Sequence, residues 1–318
     1  MDEISRRIDL GAIGVWRHDR TPPELAVALE GLGYGTLWLG NVTDPDLTEA
    51  ERLLDATDRL VVATGIVNIW SNPADRVARA YRRIAERHPD RFLLGIGAGH
   101  PEATKEFVRP YQALNDYLDV LDAGGVPPAR RALAALGPRV LRLAGDRTAA
   151  AHPYLVTPEH TRRARDLLGT GPLLAPEQKV VLETDPAEAR KIGDATLGFY
   201  LDLTNYVGNL RRLGFDDTDF ADGGSDRLFD ALVVHGDAGR VAAGLRAHLD
   251  AGADHVAVQL LHAAGTDPLP GYRALAGALG LGGASGPGGR PVGARGGRQA
   301  RGAAGRSGGR PVGPGGSR

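Results

Sequence analysis

The chain has 318 residues, no cysteine and a single methionine at position 1. Disulfide staples, thiolate metal sites and cysteine nucleophiles are therefore excluded. The net charge of −1 averages two different polymers. Residues 281–318 hold seven arginines, 15 of the 45 glycines and no acid, which leaves 31 basic against 39 acidic side chains in residues 1–280. A body of about 280 residues is long enough to bury a large single core. No apolar run approaches the roughly 20 residues of a membrane span, and Met1 to Arg7 lacks an apolar signal core. The expected protein is cytoplasmic, with no membrane partner.

The body alternates short apolar runs with amphipathic segments. Leu10–Val15 reads as a first strand. Thr21-Pro22-Pro23-Glu24 then opens a helix, with Thr21 as its cap. Thr36–Leu39 is the second strand and Pro45–Asp58 a helix. Leu60–Val67 is a third strand, rich in β-branched residues. Asn72-Pro73 opens a helix to His88, Arg91–Ile96 is the fourth strand, and Pro110–Asp122 is helical. Arg131–Leu136 and His152–Val156 read as the fifth and sixth strands, followed by helices over Pro138–Ala144 and Thr157–Leu168. Lys179–Glu183 is extended, and Asp185 caps the next helix. Asn205–Asp226 reads as an irregular excursion. Asp230–Val234, the helix Asp237–Asp250 and His255–Leu260 form one more βαβ unit, and Pro268–Leu279 closes the body as a helix.

About eight strand–helix alternations argue for a parallel sheet wrapped by helices. Length and count favour a (β/α)8 TIM barrel over a doubly wound open sheet. In a barrel the functional residues follow the strands. Those loops carry Trp16, Arg17 and His18; then Gly40, Asn41 and Val42; then Asn68, Ile69 and Trp70; then Gly95-Ile96-Gly97-Ala98-Gly99-His100. Glycine lets a backbone approach a ligand closely. A dinucleotide fingerprint fails here, because its third glycine would fall at His100. There is no H-E-x-x-H zinc spacing, no G-x-S-x-G elbow and no Walker loop, so no metal site is expected.

The order of these features resembles the luciferase-like (β/α)8 family, and within it the actinobacterial branch of coenzyme F420-dependent oxidoreductases. Gly33-Tyr34-Gly35-Thr36-Leu37-Trp38-Leu39, Ala63-Thr64-Gly65-Ile66 with Asn72-Pro73, and Arg91–His100 carry the resemblance. Ala150–His160 and Leu174–Gln178 look like one subfamily of that branch. The resemblance covers residues 8–280 and implies chemistry carried by a bound deazaflavin, coenzyme F420, which moves a hydride to or from a small organic substrate. FMN, used by sister families in monooxygenases, is the alternative cofactor. A cofactor-free barrel, acting as a lyase or a binding protein, is the alternative from another class. The resemblance implies a bulge at Gly65-Ile66 against the ring and contacts from Asn41, Asn68, Gly97, Ala98 and Gly99. It places Gly145 to His152 near the cofactor phosphate. It also implies departures: members that oxidise sugar phosphates carry an Asp-His pair and a glutamate where this chain has Asn41, Val42 and His100.

His100 is the candidate proton donor, since its ordinary pKa lies near neutrality. Trp16, His18 and Trp70 are candidates for the substrate pocket, weighed against ordinary packing for the tryptophans and a solvated loop for His18. Glu102 could assist His100 or serve only as a helix-dipole partner. Homodimerisation is common in the family, and the charge pattern does not decide it. Residues 281–318 repeat Gly-Arg-Pro-Val-Gly and contain an RGG-like element, but lack the aromatics that stack on bases. They are expected to be a disordered appendage, and no nucleic-acid partner is expected for the body.

Overall fold

A computed structural model describes residues 7–18, 20–100, 102 and 109–283. Its strands are β1 (Ile13–Arg17), β2 (Thr36–Leu39), β3 (Val61–Thr64), β4 (Val67–Asn68), β5 (Phe92–Gly97), β6 (Arg131–Leu133), β7 (Ala150–Ala151), β8 (Leu173–Leu174), β9 (Glu177–Val181), β10 (Val233–His235) and β11 (Val256–Leu261). The helices are α1 (Pro23–Gly31), α2 (Thr48–Ala56), α3 (Ala74–Arg87), α4 (Pro110–Ala123), α5 (Pro138–Arg147), α6 (Pro158–Leu168), α7 (Pro186–Leu201), α8 (Thr204–Arg212), α9 (Asp217–Phe220), α10 (Asp226–Leu232), α11 (Ala238–Asp250) and α12 (Leu269–Leu279).

The strands pair in the order β10-β9-β11-β1-β2-β3-β5-β6-β7-β8. Every pairing is parallel. Only Ala175 and Pro176 separate β8 from β9. β8 pairs with β7 and β9 with β11, so this one kinked run ties the two ends of the sheet and closes the barrel. The fold is the (β/α)8 barrel that the sequence suggests. β10, within the expected strand Asp230–Val234 and just beyond it, is not a stave of the ring. It pairs only with Lys179–Val181, on the edge of β9 opposite β11.

Side chains on the staves alternate as the strand period requires. Val15, Leu37, Leu39, Val62, Leu94 and Ile96 point outward into the layer beneath the helices. Trp38, Ala63, Leu93, Ala132, Ala150, Ala175 and Ala257 fill the interior. Small alanines around the large Trp38 ring suit the narrow interior of the barrel. Trp38 stacks on His152, with ring centres 4.0 Å apart and planes 7° apart, and donates its indole N–H to His255 Nε2 at 3.0 Å.

Local chemistry moves several boundaries. The sixth strand is Ala150–Ala151, not His152–Val156, because Pro153 follows and Leu155 sits at φ 55°. Asn205–Asp226 is largely helical, forming α8 and α9. Thr21 does not cap α1, whose cap position is Pro22. Its amide instead donates to Glu49. Asp185 caps α7 as expected, accepting from the amides of Ala187 and Glu188. Leu281, just beyond the expected end of the body, packs against the core. The expected disordered tail otherwise falls outside the described residues. Among the described residues no helix is long and apolar enough to cross a membrane.

The third strand breaks at Gly65-Ile66 and resumes as β4. Thr64 makes the break. Its hydroxyl donates to Gly95 O at 2.7 Å and accepts from Gly95 N at 2.8 Å, replacing ladder bonds where the strands part. Gly95 is required there, since a Cβ would sit 1.8 Å from Thr64 O. Pairing then restarts with Val67 opposite Ile96 and Asn68 opposite Gly97.

Candidate active site

A cavity of about 610 Å³ opens at the end of the barrel where the strands finish. That is where parallel barrels keep their sites, and the volume suits a tricyclic ring with part of a tail. Trp16 enters it from the end of β1 and His18 just after it, Asn41 after β2, Gly65 and Ile66 at the β3–β4 break, Asn68 from the end of β4, and Ala98, Gly99 and His100 after β5. His152 lines it after β7. Ten of the sequence-derived site residues therefore converge on one cavity.

Gly97 and Trp70 do not line it. A Cβ on Gly97 would lie 2.8 Å from Ile66 and 2.9 Å from Ala134, so Gly97 keeps β5 close to its neighbours and stands behind the wall. Trp70 donates its indole N–H to Ala98 O at 2.7 Å and braces the glycine turn from behind. Gly99 holds φ at +64°, and a Cβ there would come within 2.7 Å of the Asn68 amide nitrogen. Both the turn and the Asn68 contact thus demand glycine.

The remaining wall comes from residues that strand-end reasoning missed. Tyr154, Phe199, Tyr200 and Tyr206 form an aromatic side. Leu136 and Gly137 come from the β6–α5 connection, Arg139 and Val140 from the first turn of α5, and Asn205 and Arg212 from α8. Arg139 and its helix start follow the fifth strand, a loop whose position the barrel rule covers. The α8 residues lay in a stretch without visible periodicity. Among the described residues the lining contains two arginines and no aspartate or glutamate, although the body carries an excess of acids. The guanidinium of Arg139 lies 3.8 Å from the Tyr111 ring centre. Both arginines approach the start of α5, where free amides and the helix dipole favour anions.

His100 sits beside Tyr206, with ring centres 5.2 Å apart, and its Nδ1–H donates to Asn205 Oδ1 at 3.3 Å. Burial lowers its pKa, opposed by the Asn205 hydrogen bond and the nearby Glu102. The lowered pKa favours the uncharged ring, in which Nε2 is the nitrogen left to accept. Glu102 accepts from the amide of Thr204 at 3.0 Å. It acts at the first turn of α8, as a helix-dipole partner does.

His152 is buried, and its Nδ1–H donates to Ala175 O at 2.6 Å. Burial lowers its pKa to about 4. A neutral imidazole is a poor phosphate ligand, and Gly145 lies within α5, away from the cavity lining. His152 lies in the cavity floor, and Arg139 and Arg212 are the cationic side chains among the described lining residues.

Behind the aromatic side lies a buried ion pair. Lys179 Nζ is 3.2 Å from both carboxylate oxygens of Glu177, and both side chains are fully buried. The ammonium also lies 3.8 Å from the Tyr154 ring centre. Tyr154 donates to Gln259 at 2.9 Å and meets the Tyr200 hydroxyl at 2.8 Å. Burial raises the Glu177 pKa and lowers that of Lys179, and each partner opposes the shift of the other.

Fold and cavity together define a (β/α)8 barrel with a large, anion-favouring site at its C-terminal mouth. Residues 19–124 match the family model of the luciferase-like monooxygenases, and the barrel has that family's fold. No curated protein matches the chain. Among solved structures, the coenzyme F420-dependent tetrahydromethanopterin reductase of Methanopyrus kandleri superposes with a TM-score of 0.68 at 15% identity, over 84% of this chain and 98% of that one. An F420-dependent secondary alcohol dehydrogenase bound to an F420–acetone adduct gives 0.66 at 14%, over 85% and 98%. The FMN-bound oxygenating component of 3,6-diketocamphane monooxygenase from Pseudomonas putida gives 0.63 at 14%, over 83% and 95%.

Proposed function

We propose that the chain is an oxidoreductase that binds coenzyme F420 and moves a hydride between it and a small organic substrate. The observation that carries this reading is the cavity itself: a slot of ring-sized volume, walled by aromatics and glycine backbone, with two arginines and no carboxylate among the described lining residues. Orphaned polar atoms in its floor, Trp16 Nε1 and His152 Nε2, are what a ring with polar edges would satisfy. Gly65 and Gly99 leave space that a Cβ would fill. The residues present therefore fit a deazaflavin.

The bound deazaflavin would supply a ring carbon that accepts or returns a hydride. The chain would do the rest. Ala98, Gly99, Asn41 and Asn68 would hold the ring, and Arg139 and Arg212 the anionic tail. Tyr200, Tyr206 and Phe199 would shield the substrate from water. His100 Nε2 would take the hydroxyl proton of an alcohol as its carbon loses hydride, with Asn205 fixing the tautomer that leaves Nε2 open. An FMN-dependent monooxygenase is the second reading, favoured by the FMN-bound structural neighbour. A phosphate would occupy the same arginines in either case.

Arg139→Ala and Arg212→Ala test the placement. Each should weaken coenzyme F420 binding by roughly 10- to 100-fold, the size of a lost charge-assisted contact, with the thermal unfolding midpoint little changed. Fluorescence titration in low and moderate salt reads the effect. Unaltered affinity in both variants would remove the tail from this end of the cavity.

A further inference from the structure

Two buried polar atoms in the cavity floor lack a hydrogen-bond partner: Trp16 Nε1 and His152 Nε2. Trp16 is 3% exposed and His152 2%. Gly65 brings them to one place. A methyl built on its α-carbon would lie 2.9 Å from Trp16 Nε1 and 3.0 Å from His152 Nε2.

The two atoms are opposite in kind. An indole N–H can only donate. His152 spends its one ring proton on Ala175 O, so its Nε2 can only accept. Stacking on Trp38 holds the ring in that orientation. Buried polar groups are almost always paired in folded proteins, and leaving them unpaired is costly. A carboxylate would turn its charge against the Nε2 lone pair, and an ammonium would meet the indole N–H head on. A neutral group that accepts and donates side by side answers both atoms: a hydroxyl or water does so at one point, and in a ring-sized cavity a carbonyl beside an N–H does so along one edge.

The geometry points to a recognition site for the –NH–C(=O)– edge of a cyclic amide or imide, formed by Trp16, His152 and the bare α-carbon of Gly65. The carbonyl accepts from Trp16 and the N–H donates to His152. This rests on the proposed cofactor reading, because deazaflavin and flavin rings both carry a cyclic imide. A substrate lactam presents the same edge, and experiment separates the two sources.

The full-length chain is titrated with FMN, N3-methyl-FMN and uracil by fluorescence and calorimetry, alongside Trp16→Phe and Gly65→Ala. Trp16→Phe keeps an aromatic ring against Tyr154 and removes only the donor, while Gly65→Ala leaves both side chains intact and plugs the space between them. If the cofactor ring supplies the edge, N3-methylation weakens FMN binding about tenfold in the wild type. Trp16→Phe then weakens unmodified FMN to a similar extent, and Gly65→Ala more. If a substrate lactam supplies it, FMN and N3-methyl-FMN bind alike, and uracil binds the wild type but not Gly65→Ala. The proposal is overturned if methylation, Trp16→Phe and Gly65→Ala all leave FMN affinity unchanged and uracil does not bind, for the pair then holds only water. Failure of the wild type to bind FMN or coenzyme F420 while it still binds uracil would overturn the cofactor reading and leave the amide site standing.

Discussion

Lowering the pH from 7 to 5 should cost the folded chain roughly 6 kcal/mol, enough to bring many domains of ordinary stability close to unfolding. Three buried histidines carry the effect. Burial lowers the pKa of His152, His248 and His255 from 6.5 to about 4 in each case. Their hydrogen bonds specify the neutral ring. His255 donates through Nδ1 to Gly11 O at 2.7 Å and accepts from Trp38 at Nε2. Protonating Nε2 would set two N–H groups against each other. His248 Nε2–H donates to Gln178 Oε1, and its Nδ1 accepts from the Thr161 hydroxyl, both at 2.7 Å. Because the folded pKa is the lower one, the unfolded chain binds more protons between pH 6.5 and 4. Stability is therefore full above about 6.5, falls through that window and has lost the whole contribution below about 4. At pH 5 each site accounts for about 2 kcal/mol. Urea unfolding at pH 7, 6 and 5 measures the slope. A midpoint that stays constant down to pH 5 would show that these rings are protonated in the fold.

Lys179→Met should cost about 3–5 kcal/mol, because it strands the Glu177 carboxylate with no solvent and no counter-charge. Glu177 would keep only the Leu155 amide, 3.1 Å away. The double variant Glu177→Gln, Lys179→Met should recover most of the loss, since a neutral amide can still accept from Leu155 and no charge remains buried. A single variant no less stable than the double would sink this account of the pair. The ion pair also bears on the cavity. Lys179 lies against the face of Tyr154, whose hydroxyl meets Tyr200. The single variant should therefore loosen the aromatic wall and weaken ligand binding, an effect that the double variant lessens.

The barrel was legible from the chain because its signals are local. Apolar runs such as Val61–Thr64 and Phe92–Gly97 are short, β-branched or aromatic, and bounded by turn residues. Closure was expected from length and strand count, but the way it is achieved was not legible. It depends on Ala175-Pro176 splitting one run between two partners, and no periodicity announces a shared strand. Likewise, β10 looks like any other stave in sequence, and only pairing shows that it stands outside the ring.

The site divides in the same way. Asn41, Asn68 and Gly99 follow strands directly, so fold class alone pointed to them. Arg212 and Tyr206 reach the cavity from α8, more than twenty residues beyond β9, and their relevance is purely tertiary. His152 shows a subtler limit. Its place was readable, but its role depends on which ring nitrogen Ala175 occupies and on burial, neither of which is written in local sequence. The direction of the His100 pKa shift likewise depends on burial and on Asn205.

The central claim is that this cavity binds a deazaflavin. Titration of the purified full-length chain with coenzyme F420 and, separately, with FMN, followed by cofactor and tryptophan fluorescence, tests it most directly. The account predicts saturable coenzyme F420 binding at micromolar or lower concentration, tighter than FMN and weakened by salt. Binding of neither cofactor at that level would contradict it.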